Sequence, residues 1–295
     1  MVIVGAGPAG LSAALILGRC RRHVLICDTG KHRNAPSQAL HGFLTRDGIA
    51  PDEFLRLGYD QLRTYDTLEF RHIKVIDAAR EDNSFRVTLE DGTCVTSRKL
   101  LLATGIVDEL PDIEGISALY GRSVFHCPYC DGWEVRDAPL AVYGKGEQGP
   151  ALALELILWS RDLVLCTDGA AELSEKDLRR LTRNGIGIRE ERIARLEGSD
   201  GRLERIVFTS GDTLPRRALF VSTQEHQHSD LPQELGTAFT RNAAVRTGEH
   251  EETNIPGLFV AGDASRRVRL AIVAAAEGVE AAFTINTALL KEDLA

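Results

Sequence analysis

The chain has 295 residues, of which 43% are hydrophobic and 26% charged, an ordinary globular composition with length enough for two domains. Its formal net charge of −8 gives no electrostatic reason to expect a nucleic-acid partner. No continuous apolar run approaches the roughly 18 residues of a membrane span, and the amino terminus runs straight into a strand and a glycine turn rather than a leader peptide. A cytoplasmic protein with no membrane partner is therefore expected.

In chain order, Val2-Ile3-Val4 reads as a strand, short enough that native residues before Met1 stay open. It is followed by a glycine turn, an apolar helix through Leu17 and a second strand from His23 to Asp28. A polar stretch to Ile49 reads as loop, and Pro51-Asp52-Glu53 opens an amphipathic helix. Strands are expected over Leu68–Ile76, Phe85–Leu89 and Cys94–Leu102, the last two joined by an Asp91-Gly92 turn. A second strand, glycine turn and helix then occurs at Pro139–Trp159, followed by a strand ending at Cys166. Ser174, three residues before Asp177, caps a further helix. Strands flank Asp200-Gly201, a polar linker follows Ser222, and Gly257–Asp263 precedes an alanine-rich helix. The fold class expected is α/β, with two Rossmann-like three-layer dinucleotide-binding domains, the second inserted in the first. The boundaries are 1–117 with 226–295 for the outer domain and 118–225 for the inserted one.

Gly5, Gly7 and Gly10 fit G-x-G-x-x-G between strand and helix. The first permits the tight turn, the second lets a pyrophosphate approach, and the third lets helix and strand pack closely. The helix start offers N–H groups to phosphate, and Asp28 ends the second strand where an acidic residue binds ribose hydroxyls. Residue types alone do not distinguish FAD from NAD.

The segment His126-Cys127-Pro128-Tyr129-Cys130-Asp131-Gly132-Trp133 is the most informative. Two cysteines separated by two residues at a helix start can close a small disulfide, and the helix start lowers a thiolate pKa. Half of a zinc site is one alternative, but the second pair is missing, so no metal is expected; an inert buried pair is the other. Cys20, Cys27, Cys94 and Cys166 read as small apolar residues.

Ala103-Thr104-Gly105 and Ala261-Gly262-Asp263, each ending a strand, together with the first glycine turn resemble the signatures of the two-dinucleotide-domain flavoproteins. With the Cys-x-x-Cys-Asp-Gly sequence before a second glycine turn, the whole chain is similar to the low-molecular-weight thioredoxin reductases. That resemblance implies FAD, a homodimer, and a disulfide or dithiol substrate, either a thioredoxin-like protein or a small molecule. It makes Cys130 the flavin-facing sulfur, Cys127 the interchange thiol and Asp131 the acid/base, the alternative for Asp131 being a surface aspartate after a helix-starting cysteine; His126 reads either as an assistant in proton transfer or as a neighbour of Cys127 only. It assigns Asp263 to the ribityl chain and Thr104, Gly105, Gly262, Arg269, Leu270 and Ala271 to the flavin site.

Departures from the pattern fall at the second glycine turn, Gly144, Gly146 and Gly149. The reductases carry a glutamate pair where this chain has Ala151 and Leu152, and a basic cluster for the 2′-phosphate where it has Thr167-Asp168-Gly169. Asp168 repels a 2′-phosphate and accepts from a free 2′-hydroxyl, so NADH is expected before NADPH, unless nucleotide binding here has been lost. Leu270 stands where the reductases have glutamine before Ala271-Ile272. The chain also resembles microbial dithiol oxidases, which implies electron flow from a dithiol through FAD to oxygen. A flavin-bound redox sensor without turnover is the reading of another class.

Overall fold

The computed structural model describes residues 1–266 and 268–295. The chain divides into two compact units. One comprises Met1–Ala35, Gly42–Val107 and Glu225–Ala295, the other Pro36–His41 and Asp108–Gln224.

The first unit begins with β1 (Val2–Val4), α1 (Pro8–Arg19), β2 (Val24–Asp28), α2 (Pro51–Leu62) and β3 (Leu68–His72). It continues with β4 (Val75–Glu81), β5 (Ser84–Leu89), β6 (Cys94–Ser97) and β7 (Leu100–Leu102). The connecting strand β8 (Ile106–Glu109) leads into the second unit. There α3 (Ile116–Leu119), β9 (Val124–Phe125), α4 (Pro128–Asp131), β10 (Leu140–Tyr143), α5 (Gln148–Glu155), β11 (Leu163–Cys166) and α6 (Glu175–Arg183) follow. That unit ends with β12 (Gly187–Arg189), β13 (Ile193–Ser199), β14 (Arg202–Phe208), β15 (Thr213–Pro215) and β16 (Ala218–Val221). The return strand β17 (Gln224–Gln227) pairs with β8. Then α7 (Leu231–Glu234), β18 (Leu258–Val260) and α8 (Ala271–Asp293) complete the first unit.

Side-chain alternation builds three layers in each unit. In the first, the parallel sheet runs β18-β7-β1-β2-β3. Ile3, Ile26, Leu101 and Phe259 face α1 and α8, whereas Val2, Val4, Leu100, Leu102 and Val260 face Val75, Phe85, Val87 and Leu89 of the antiparallel sheet β4-β5-β6. The second unit repeats the plan. Its parallel sheet β12-β11-β10-β16-β9 turns Leu140, Val142, Leu165 and Phe220 toward Ala153, Leu156 and Leu181, and turns Ala141, Cys166 and Leu219 toward Leu196, Ile206 and Phe208 of β13-β14-β15. The α/β class and the paired dinucleotide-binding architecture follow from this layering.

Three sequence expectations change in detail. Leu68–Ile76 is two strands, β3 in the parallel sheet and β4 in the antiparallel one, and Cys94–Leu102 likewise divides into β6 and β7. The change of unit falls at Val107/Asp108 rather than at 117/118, because Leu110, Ile113 and Ile116 pack into the core around Leu196 and Leu219. Finally, α8 is long and apolar enough, by length and a mean hydropathy of 1.2, to cross a membrane. A count of continuous apolar residues passes it over because Glu277 and Glu280 interrupt it. Here Ala274, Ala281, Ala282, Ile285 and Leu289 are buried in the first unit's core. It packs so closely on α1 that a Cβ on Gly278 would fall 2.0 Å from the Ala9 carbonyl oxygen.

Candidate active site

Three signature turns meet at the carboxyl ends of adjacent strands β18, β7 and β1, where nucleotides bind in open α/β sheets. Gly5 donates its N–H to the Cys27 carbonyl, Ala103 to Val4 and Ala261 to Leu102, so the turns continue the ladder in register. Gly5 and Gly10 are required by close approach. A Cβ on Gly5 would lie 2.3 Å from the Ala103 oxygen, and one on Gly10 would lie 1.9 Å from the Gly5 oxygen. Gly7, the N-cap of α1, has open space above it.

The residues present fit a bound dinucleotide. Thr104 Oγ1 and Arg269 Nε are buried with no protein partner, and such atoms are costly unless a ligand satisfies them. Gly105 leaves open space beside Thr104. Leu270 caps α8, whose first-turn N–H groups, beginning at Ala271, have no intrahelical acceptor. Asp263 lies on the turn after β18, its Oδ2 3.0 Å from Arg33 Nη1. Asp28 sits at the end of β2, but its carboxylate accepts from Ala6 N at 2.9 Å, Gly30 N at 2.8 Å and Tyr59 Oη at 3.2 Å. It therefore braces the glycine turn.

In the second unit Cys127 and Cys130 are joined in a disulfide, with Cα atoms 5.3 Å apart. Cys127 caps α4, its Sγ accepting the Cys130 N–H at 3.1 Å, and Pro128 occupies the first helical position, where a missing N–H costs nothing. Gly132 allows the turn to close, since a Cβ there would fall 2.6 Å from the Pro128 oxygen and 2.8 Å from the Trp159 ring. Tyr129 and Trp133 are 65% and 64% exposed, so an aromatic surface borders the disulfide.

Asp131 is half-buried directly after Cys130. Burial pushes its carboxyl up to about 7; the His41 side chain opposes the rise and Glu134 adds to it. His41 reaches this turn from the Pro36–His41 segment, its Nε2 3.5 Å from Glu134 Oε1. His126, half-buried, places Nδ1 2.8 Å from Tyr120 Oη.

At the second glycine turn, Gly144 and Gly149 are tied together by packing: a Cβ on Gly149 would lie 2.5 Å from the Gly144 oxygen. Gly146 faces open space. Asp168 follows β11, as the sequence places it, yet both its oxygens are engaged. Oδ1 accepts from Ile193 N at 2.9 Å, and Oδ2 lies 3.4 Å from Tyr143 Oη and 3.3 Å from Lys145 Nζ. Burial, and then Asp168, push the Tyr143 hydroxyl up to about 12. Glu147 is the N-cap of α5 and is exposed, an acidic residue at the end of the helix that a phosphate would otherwise favour. Among the described residues no group of three or more metal-ligating side chains occurs.

Sequence reasoning misses Arg33 and Glu277, and offers His41 and Glu225 only as members of polar stretches, Asn34–Arg46 and Thr223–Ser229, that could line a substrate cleft. Glu225 pairs with both Arg33 and Arg269. These partners are distant in the chain and belong to no local motif, so only the fold brings them together.

Residues 1–278 match the family model described as pyridine nucleotide-disulphide oxidoreductase. The chain is 30% identical over 324 residues to thioredoxin reductase sirT of Leptosphaeria maculans, covering 100% of this chain and 95% of that protein. The crystal structure of TrxB from Bacillus anthracis superposes with a TM-score of 0.93 at 33% identity, covering 99% and 98% of the two chains. That of HlmI gives 0.94 at 36%, covering 99% and 93%. With the three signature turns, the paired dinucleotide folds and the Cys127–Cys130 disulfide in place, the chain belongs to the pyridine nucleotide-disulphide oxidoreductase family, as an FAD-dependent thiol–disulfide oxidoreductase of thioredoxin-reductase type.

Proposed function

We propose that the enzyme moves two electrons between FAD and a disulfide or dithiol substrate through Cys127 and Cys130. The observation that carries this reading is a closed disulfide followed directly by a carboxyl that titrates near neutrality. In the oxidative direction a substrate thiolate attacks Cys127 Sγ, the Cys127–Cys130 bond breaks, and Cys130 leaves as thiolate. The second substrate thiol gives its proton to Asp131 and displaces Cys127, closing a substrate disulfide and leaving two reduced cysteines. The reductive direction runs the same steps backward, with Asp131 protonating the leaving thiolate. FAD, held by the turns at Gly5–Gly10, Thr104-Gly105 and Gly262-Asp263 with Arg269 and the start of α8, supplies the two-electron store for the cysteines.

A second reading, dithiol oxidation without a nicotinamide donor, is favoured by Asp168, whose oxygens are bonded within the protein, and by the Glu147 carboxylate at the start of α5. Anaerobic mixing with NADH, NADPH and dithiothreitol separates the two. Flavin bleaching by NADH supports a reductase; bleaching only by the dithiol, with recovery in air, supports the oxidase. Replacing Cys130 by serine abolishes exchange while FAD stays bound, and activity surviving that change overturns the central step. Bound FAD with no turnover toward any donor and acceptor pair supports a redox sensor instead.

The substrate is a thioredoxin-like protein or a small dithiol, bordered by Tyr129 and Trp133. The four other cysteines are free, which accords with a reducing, cytoplasmic compartment. A homodimer would cover Ile272, Val279, Phe283 and Leu290, exposed along one face of α8; light scattering of wild type and Phe283→Glu tests it.

A further inference from the structure

Glu277 and Glu251 are 5% and 0% exposed, and carboxylates so buried must be paired and hydrogen-bonded. Glu277, on α8, accepts the Gly262 N–H at 2.7 Å through Oε2 and the Arg266 Nε–H at 2.8 Å through Oε1. Arg266 also pairs with Glu251, which accepts the Thr247 hydroxyl at 3.2 Å. One guanidinium is thus shared by two buried carboxylates from different elements. Gly262 precedes Asp263, lies at φ +82°, and has Ala9 of α1 3.2 Å from where its Cβ would stand. The peptide that sets the direction of Asp263 is therefore held by β18 behind it, α1 on one side and Glu277 on another.

Two buried carboxylates sharing one partly exposed guanidinium add little net stability compared with apolar packing of the same volume. Their value lies in the geometry they enforce. We propose that Glu277 is a positioning residue of the flavin site: acting through the Gly262 N–H, with Arg266 and Glu251 as support, it fixes the turn that presents Asp263 to the ribityl chain. The inference rests on the FAD reading above and assigns a role to a residue outside all three signature turns.

The test uses the full chain, stripped of flavin and titrated with FAD by fluorescence quenching, alongside its thermal midpoint. Glu277→Ala should weaken FAD binding at least tenfold, equivalent to about 1.4 kcal/mol. Glu277→Asp, which keeps the carboxyl but withdraws it from Gly262, should weaken binding about threefold or more, and it serves if the alanine variant does not fold. Leu289→Ala, a cavity in the same helix away from the turn, should lower the midpoint while leaving FAD affinity within about twofold. Wild-type affinity in both Glu277 variants, or an equal loss of affinity in Leu289→Ala, overturns the inference. A wild-type chain that takes up no FAD overturns the flavin reading and this inference with it.

Discussion

Replacing Asp131 by asparagine isolates the proton from the shape of the side chain. A carboxyl at its ordinary value of 3.8 is protonated at pH 7 in roughly one molecule in a thousand, whereas one at about 7 is protonated in about half. Burial thus raises the supply of acid at neutral pH some several-hundredfold and still leaves half the molecules able to act as base. Positioned acid–base groups contribute about 10²–10⁴-fold; with only half the molecules in the useful form, a loss of about 100-fold is expected for Asp131→Asn. The assay mixes the oxidised enzyme with dithiothreitol without oxygen, quenches by alkylation, and counts Cys127 and Cys130 thiols by mass spectrometry. The dithiol's own ionisation affects wild type and variant alike, so the ratio of their rates reports Asp131. In this direction the base form serves, and the ratio should climb from pH 6 and level off above about 7. A variant within about threefold of wild type, with a ratio flat across that range, refutes the assignment.

His41→Ala removes the side chain that opposes the rise, so the Asp131 midpoint should move up; Glu134→Gln should move it down, both read from the same profiles. The raised Asp131 value also means that the folded chain keeps a proton which the unfolded chain releases between about pH 4 and 7, so this contribution is present at low pH and lost as pH rises through about 7. The thermal midpoint of Asp131→Asn relative to wild type should accordingly grow from pH 5 to pH 8. Gly149→Ala, whose Cβ would meet the Gly144 oxygen, should destabilise by about 1–3 kcal/mol in chemical denaturation. Gly146→Ala, in open space at φ +57°, should cost about 1–2 kcal/mol, from the left-handed backbone alone.

What could be read from the sequence was whatever the chain repeats locally. The glycine turns, the short apolar runs Val2–Val4 and Leu100–Leu102, and the Ser174 cap, whose Oγ accepts the Asp177 N–H at 3.1 Å, are each settled within a few residues. Two strand readings ran on because nothing in residue type marks Ile73-Lys74 or Arg98-Lys99 as the place where a chain leaves one sheet for another; the partner strands decide it. The same limit applies to chemistry. Asp131 was visible beside Cys130, but its readiness to exchange a proton at neutral pH comes from burial, which the fold alone supplies, and is limited by His41, ninety residues earlier in a segment without periodicity. Asp168 was visible as an acid after β11, yet its bonds to Tyr143, Lys145 and Ile193 turn it from a free ribose acceptor into part of the scaffold. Glu277 shows the point most sharply. Its position on α8 suggests a surface acid or an interruption of an apolar helix, and only the Gly262 N–H and Arg266 beside it give the carboxylate a reason to be buried.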